Sequence, residues 1–269
     1  MKRIQTLLAL TVLLIFTNQC ATVPITGRSQ LSLIPNSQVI PMSFDQFNQV
    51  KNSSKVITSG EQAAMVKRCG TRIQKAVEQY LSEQNLSSQL DGFEWEYILI
   101  DDNQVNAWAM PGGKVAFYTG ILPITQDETG LAVVMGHEIS HVVANHGRER
   151  ISQTLAAQTG LSLAAIAAGQ GESSLTGDMI LQAAGAATNL GLLKFSRTHE
   201  SEADKLGLYF MALAGYNPRE AVAFWERMAA KSGGQAPPEF MSSHPSHQTR
   251  INDLKKNMPK AMEYYNKSK

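Results

Sequence analysis

The stretch Met135-Gly136-His137-Glu138-Ile139-Ser140-His141-Val142-Val143 sets the frame for the rest of the chain. A helix advances about 100° per residue, so His137 and His141 stand one turn apart on one face, where both imidazoles reach a single tetrahedral zinc. Glu138 falls beside them, placed to take a proton from a zinc-bound water and pass it to a leaving amine. The competing reading is a chance match with two solvated histidines. Against it, Leu131, Val133, Val134, Met135, Ile139, Val142 and Val143 make the helix largely apolar, and imidazoles and a carboxylate buried there need a partner.

Two histidines leave a catalytic zinc, expected at one Zn2+ per chain, short of a third protein ligand. His146 lies nine residues beyond His137, about 180° around a continuing helix, so it is expected to face away as a cation near the helix C-terminus. The pattern H-E-x-x-H-x-x-G-x-x-H is excluded, because Ala144 and Gly147 occupy the places of its Gly and last His. The acidic run Ser196-Arg197-Thr198-His199-Glu200-Ser201-Glu202-Ala203-Asp204 offers another source. Glu200 and Asp204 share a face, whereas Glu202 points about 200° away from Glu200. Glu200 can ligate zinc while Asp204 accepts the outer N–H of a ligand histidine. Read otherwise, the run is an acidic helix start stabilised by its dipole.

The 269 residues, 43% hydrophobic and 17% charged, suffice for one substantial core, which implies one domain with helical additions. Lys2 and Arg3, the apolar stretch Leu7 to Phe16 and Thr17-Asn18-Gln19-Cys20 read as an export signal over residues 1–19. That stretch of ten residues falls short of the about twenty a spanning helix needs, so cleavage is expected, with Cys20 as a lipid acceptor. Thr17 and Gln19 depart from the usual acceptor pattern, and an ordinary secretory signal is the alternative. Cleavage leaves 22 Lys and Arg against 23 Asp and Glu, a balance that implies no nucleic-acid partner. With Cys20 lipidated, Cys69 is left without a disulfide partner and reads as an inert core thiol.

Residues 20–58, with Pro24, Pro35 and Pro41, read as an extended lead, and residues 59–269 as a single domain. Ser59 and Gln62 mark a helix start that runs to about Glu83. Phe93 to Ile100 reads as a strand buried at its far end, and Ala107 to Met110 and Lys114 to Thr119 as a strand pair about the turn Pro111-Gly112-Gly113. Asp127 caps a helix that should run to His146 and stop at Gly147. Within residues 148–193 the most apolar stretch, Leu161 to Ala168, is only eight residues and includes Ser162, so the segment reads as an amphipathic helical hairpin packed on the domain. Ser196 caps a helix through Leu213, Asn217-Pro218 starts another through about Lys231, and a last helix begins near Gln248.

The chain resembles the family of zinc metallopeptidases that includes HtpX and the CAAX prenyl protease, most closely its exported lipoprotein-type bacterial members. The matching residues are Val23-Pro24-Ile25-Thr26-Gly27-Arg28, Asn106-Ala107 with Pro111-Gly112-Gly113 and Gly120, His137-Glu138-x-x-His141, Ser196-Arg197-x-x-Glu200-x-Glu202-Ala203-Asp204, and His244-Pro245 with Arg250-Ile251. The resemblance implies Glu200 as third metal ligand and Asp204 as its companion. It also implies an α+β, mostly helical, zincin-like metallopeptidase domain with a small antiparallel sheet beside the H-E-x-x-H helix.

The expected activity is that of a zinc metalloendopeptidase acting on unfolded or membrane-associated proteins of the bacterial envelope, held as a periplasmic outer-membrane lipoprotein through Cys20. A chaperone or assembly factor for outer-membrane proteins with a largely silent zinc site would share every motif. Asn106, Ala107, Trp108 and Ala109 are expected to receive an extended substrate along a strand edge; the alternative is a plain hairpin. Pro245 biases His244 toward extended backbone. That suits a side chain that either plugs the open zinc position or stabilises the oxyanion; capping the last helix is the third possibility.

Overall fold

The computed structural model describes residues 20–23, 25–167, 195–231, 240, 244 and 248–269. β1 (Cys20–Thr22) and β2 (Ser29–Leu31) make an antiparallel ribbon of their own. Then come α1 (Asn36–Ser53), β3 (Val56–Ile57), α2 (Glu61–Glu83), β4 (Glu96–Ile100), β5 (Ala107–Met110) and β6 (Lys114–Tyr118). The remainder is helical: a short α3 (Leu122–Thr125), then α4 (Glu128–Val143), α5 (His146–Ala167), α6 (Arg197–Leu213), α7 (Glu220–Lys231) and α8 (Gln248–Lys267). The class is α+β and mostly helical, with the small sheet beside α4. Among the described residues no helix is long and apolar enough to cross a membrane.

The sheet order is β3-β4-β6-β5, antiparallel at both outer pairs and parallel between β4 and β6. β5 is therefore an edge strand that lies against α4. Its hairpin turns on Gly112 and Gly113, both at φ +86°. A Cβ on Gly112 would stand 2.4 Å from the Phe44 ring, and one on Gly113 2.7 Å from Trp95, so the turn chemistry and the packing both require glycine.

Residues 36–53 were expected within an extended lead; they form α1. Alternate residues of β4 explain why. Leu99 enters the main core with Val66, Ile73 and Leu131, while Ile98 and Ile100 face a second core with Val39, Phe47 and Trp108. A sheet apolar on both faces needs cover on both, and α1 supplies it with Val39, Ile40 and Phe47 at helical spacing. Pro41, inside the helix, costs it one backbone hydrogen bond without ending it.

α4 is buried along nearly its whole length. α6 crosses it where two glycines meet: a Cβ on Gly207 would lie 2.8 Å from the Gly136 carbonyl carbon. Backbone-to-backbone approach of this kind brings side chains of the two helices to one point. The expected run of α4 to His146 is cut short. Val143 is its last residue, and Asn145 adopts φ +58°, a left-handed step that Asn tolerates, before α5 begins at His146. The helix expected over 148–193 is found as far as Ala167. Its second half lies outside the described residues, as do residues 1–19.

Candidate metal centre

Two caps fix the helices that carry the centre. Asp127 accepts hydrogen bonds from the Thr129 and Gly130 amides at 2.8 and 2.9 Å and starts α4. Ser196 accepts from the His199 amide at 3.2 Å and starts α6. From α4, His137, Glu138 and His141 project to one side of the crossing; from α6, Glu200 and Asp204 meet them.

His137, His141, Glu200 and His244 are all buried and bring one potential ligand atom each within 4.8 Å of the others. His137 Nε2 lies 3.1 Å from His141 Nε2 and 3.1 Å from His244 Nδ1. Glu200 Oε1 lies 3.4 Å from His141 Nε2 and 3.0 Å from His244 Nδ1, and its Oε2 is 3.5 Å from His137 Nε2. Zinc bonds of about 2.0–2.1 Å in a tetrahedron put ligand atoms about 3.3 Å apart, so the spacing fits that ion. The donor set fits too. Among the described residues, the buried Glu138 Oε1 and Glu200 Oε2 have no hydrogen-bond partner, as carboxylates facing a cation site would.

Asp204 Oδ1 lies 2.9 Å from His137 Nδ1. Its carboxylate accepts a hydrogen bond from Nδ1–H, which leaves the Nε2 lone pair toward the centre. Arg250, which the residue chemistry alone did not single out as a site residue, holds Asp204 in turn. Its Nη2 donates to Oδ1 at 2.7 Å, Nε stands 2.5 Å from Oδ2 as an ion pair without hydrogen-bond alignment, and Nη1 is 3.2 Å from Glu200 Oε2. The guanidinium lies 3.5 Å over the Trp225 ring. No local sequence signal marks an arginine as 5% exposed; its place in the final helix gives only the amphipathic pattern.

Burial pushes the Glu138 carboxyl up to about 7, with Glu200 adding to the rise and His244 opposing it. Burial also works against ionisation of Glu200, but the charge of His244 and the close approach of the His137 and His141 rings outweigh it and hold the group well below the ordinary carboxylate range. Desolvation keeps His141 well below its ordinary value, so it offers a lone pair instead of a charge.

His146 departs from its expected place. The left-handed step at Asn145 folds it back behind His141, with Nδ1 2.9 Å from His141 Nδ1 and Nε2 2.8 Å from Glu202 Oε2. Burial lowers it to about 4, so it is a neutral, fully buried imidazole and not a helix-end cation. The Asn145-His146-Gly147 triplet was the available signal, since Asn and Gly together favour a left-handed break. Glu202 does point away from Glu200, but into this second cluster and not into solvent.

Of the expected substrate residues, Trp108 is turned from the site. Its ring packs edge-on to Phe47 at 6.0 Å, and its indole N–H donates to the Tyr118 hydroxyl at 3.3 Å. Side chains alternate along a strand, so Trp108 offers only backbone there. Asn106 accepts from the Ala107 amide through Oδ1, while its buried Nδ2 has no partner among the described residues. Ala109 is partly exposed and lines a pocket with Pro111, His141, Arg148 and Phe195. His244 is tied in by its amide to the Phe240 carbonyl at 2.9 Å, and the Phe240 amide reaches the Val105 carbonyl at 3.0 Å.

The pattern of peptidase family M48 matches residues 69–258, which contain the whole centre. The chain is 35% identical over 190 residues to the mitochondrial metalloendopeptidase OMA1 of Saccharomyces cerevisiae, covering 68% of this chain and 52% of that one. It is 41% identical over 177 residues to the OMA1 of Schizosaccharomyces pombe, covering 65% and 50%. The beta-barrel assembly-enhancing protease of Escherichia coli K12 is 26% identical over 249 residues, covering 89% and 48%. The chain thus spans about half the length of these curated relatives. They correct one expectation. A periplasmic outer-membrane lipoprotein was expected from the N-terminus, whereas the relatives from two yeasts, a plant and a fish are mitochondrial by name. Neither the structure nor the names of these relatives speak for a lipid on Cys20.

Proposed function

The chain belongs to peptidase family M48, and on that premise we propose that it is a zinc-dependent metalloendopeptidase that cleaves unfolded or membrane-associated proteins. The observation that carries the reading is the near-tetrahedral spacing of His137, His141 and Glu200 with Glu138 alongside. Zinc held by these three ligands would supply Lewis acidity, polarising the scissile carbonyl and acidifying a water. Glu138, its carboxyl raised by burial toward the working pH, takes the proton of the attacking water and delivers it to the leaving nitrogen. Asp204 holds the His137 ring in the ligating tautomer, and Arg250 holds Asp204.

Substrate is received along β5. The edge strand offers backbone hydrogen bonds to an extended peptide, and Asn106 Nδ2 is a free buried donor beside it. Backbone recognition admits many sequences, which suits substrates defined by being unfolded. A pocket lined by Ala109, His141 and Phe195 opens beside this edge. Purified protein tested on unfolded casein, with and without Glu138→Gln and with zinc content measured, tests the reading. Zinc retained and turnover lost in the variant supports it; turnover by Glu138→Gln overturns it.

One observation favours a second reading, a chaperone-like protein whose zinc site is largely silent. His244 Nδ1 stands at the corner that a catalytic zinc leaves open, 3.0 Å from Glu200 and 3.1 Å from His137. A protein that binds zinc and unfolded casein but does not cut it, even as His244→Ala, would be of this second kind.

A further inference from the structure

The segment Thr26-Gly27-Arg28 lies far from the H-E-x-x-H run in sequence and outside the stretch matched by the family pattern. The ribbon of β1 and β2 folds it back. The Val23 amide donates to the Arg28 carbonyl at 2.7 Å, and Gly27 at φ +75° closes the turn. From this turn Arg28 enters between α5 and α6. Its Nη1 and Nη2 lie 3.1 and 2.8 Å from the two oxygens of Glu149, and Nε lies 2.7 Å from Glu202 Oε2. The Thr26 hydroxyl hydrogen-bonds to the other Glu202 oxygen. Each carboxylate holds a buried imidazole: Glu202 holds His146 at 2.8 Å, and Glu149 holds His199 at 3.0 Å.

The path from Arg28 to the centre is a chain of three contacts with fixed proton positions. A carboxylate only accepts, so the Glu202–His146 bond places the proton on His146 Nε2 and leaves Nδ1 bare. His146 Nδ1 faces His141 Nδ1 at 2.9 Å; one of the two must donate, so the proton there belongs to His141. Its Nε2 is then a lone pair aimed at His137, Glu200 and His244. His137 has a direct carboxylate partner in Asp204; His141 reaches its carboxylate through a second imidazole. Arg28 is the group that satisfies this carboxylate and the neighbouring Glu149 together, in the fork geometry that lysine lacks.

We infer that Arg28 is a positioning residue for the metal ligand His141, acting through Glu202 and His146, so that seating of the N-terminal ribbon tunes metal binding. The inference rests on the proposed zinc site. Its first measurement, however, needs no metal: 15N shifts of the imidazoles in the metal-free full chain report which nitrogen carries each proton. Wild type should show His141 protonated at Nδ1 and His146 at Nε2, while Arg28→Met should show either ring losing that single tautomer. The second measurement is zinc affinity by chelator competition, with the cobalt-substituted absorption spectrum as a geometric readout. Arg28→Met should weaken zinc about ten- to hundredfold and alter the cobalt bands, the size typical for partners of metal ligands. Arg28→Lys should fall between and serves if Arg28→Met does not fold. Arg68→Met, which removes an exposed ion pair with Glu128, is the control for general stability. Unchanged tautomers in both Arg28 variants overturn the inference, as does a zinc loss no larger than that of Arg68→Met. A wild type that fails to bind zinc but shows the stated tautomers would refute the zinc reading and leave the relay standing.

Discussion

Gly207→Ala tests whether the helix crossing builds the centre. A Cβ at Gly207 would lie 2.8 Å from the Gly136 carbonyl carbon, 2.8 Å from the His137 amide nitrogen and 3.0 Å from the Gly136 oxygen. All three are backbone atoms, so no rotamer change relieves the clash. Ordinary carbon contacts run at about 3.5–4.0 Å, so α4 and α6 must part by roughly 0.7 Å or more. The proposed ligands sit on both sides of that gap, His137 and His141 on α4 and Glu200 on α6. Zinc sites tolerate bond-length errors of only about 0.2 Å, so the ligand set cannot follow the helices apart without losing affinity. The expected result is a loss of about 1–3 kcal/mol in stability, the usual cost of overpacking. A fall in zinc affinity on the order of tenfold or more, equivalent to about 1.4 kcal/mol, should accompany it. Thermal melts of the metal-free protein and chelator competition read the two separately. Gly147→Ala is the control, because among the described residues its added Cβ meets only Pro111 Cγ, at 3.8 Å. If Gly207→Ala keeps wild-type zinc affinity, the crossing does not set the ligand geometry and the reasoning fails.

Glu200→Gln should lose zinc affinity while the fold persists, seen as unchanged far-ultraviolet circular dichroism with metal absent by elemental analysis; full zinc occupancy would remove Glu200 from the ligand set. His244→Ala should raise cleavage of unfolded casein or self-cleavage if the ring is mainly a plug. A fall on the order of a hundredfold with zinc retained would instead assign it to the oxyanion. For Glu128, burial raises the carboxyl, but hydrogen bonds from Arg68 and Tyr216 outweigh it and hold the group below its ordinary 4.5. Its stabilisation is therefore present above pH 4.5 and lost as the pH falls through the lowered value. The melting difference between wild type and Glu128→Gln should shrink from pH 7 to pH 3, and a constant difference would exclude the charge as its source.

What the sequence disclosed followed how local each signal was. The spacing of His137, Glu138 and His141 lies within one helical turn, and so does that of Glu200 and Asp204; a fixed 3.6-residue period turns such spacing into geometry without tertiary knowledge. The caps at Asp127 and Ser196 and the turn at Gly112-Gly113 are local too. The misread elements needed a partner from elsewhere. α1 carries a proline and little helical propensity to advertise it; it forms because Ile98 and Ile100 leave the far face of β4 uncovered. Trp108 reads as an edge residue until Phe47 of that same helix claims its ring. Extending the period of α4 to His146 carries it three residues past Val143, where the helix ends, and hides the second cluster. Glu202, Glu149, His199 and Arg28 come from three segments separated by up to 174 residues between hydrogen-bonded partners, and no periodicity relates them. Arg250 shows the same limit from the other end of the chain, its guanidinium held between Asp204 and the Trp225 ring. The two arginines thus stand in matching places: each pairs with a carboxylate, Arg250 with Asp204 beside His137 and Arg28 with Glu202 behind His146 and His141. The H-E-x-x-H run can therefore be read alone, but in the proposed relay the set of its lone pairs depends on Arg28 and Arg250, which no local spacing ties to it.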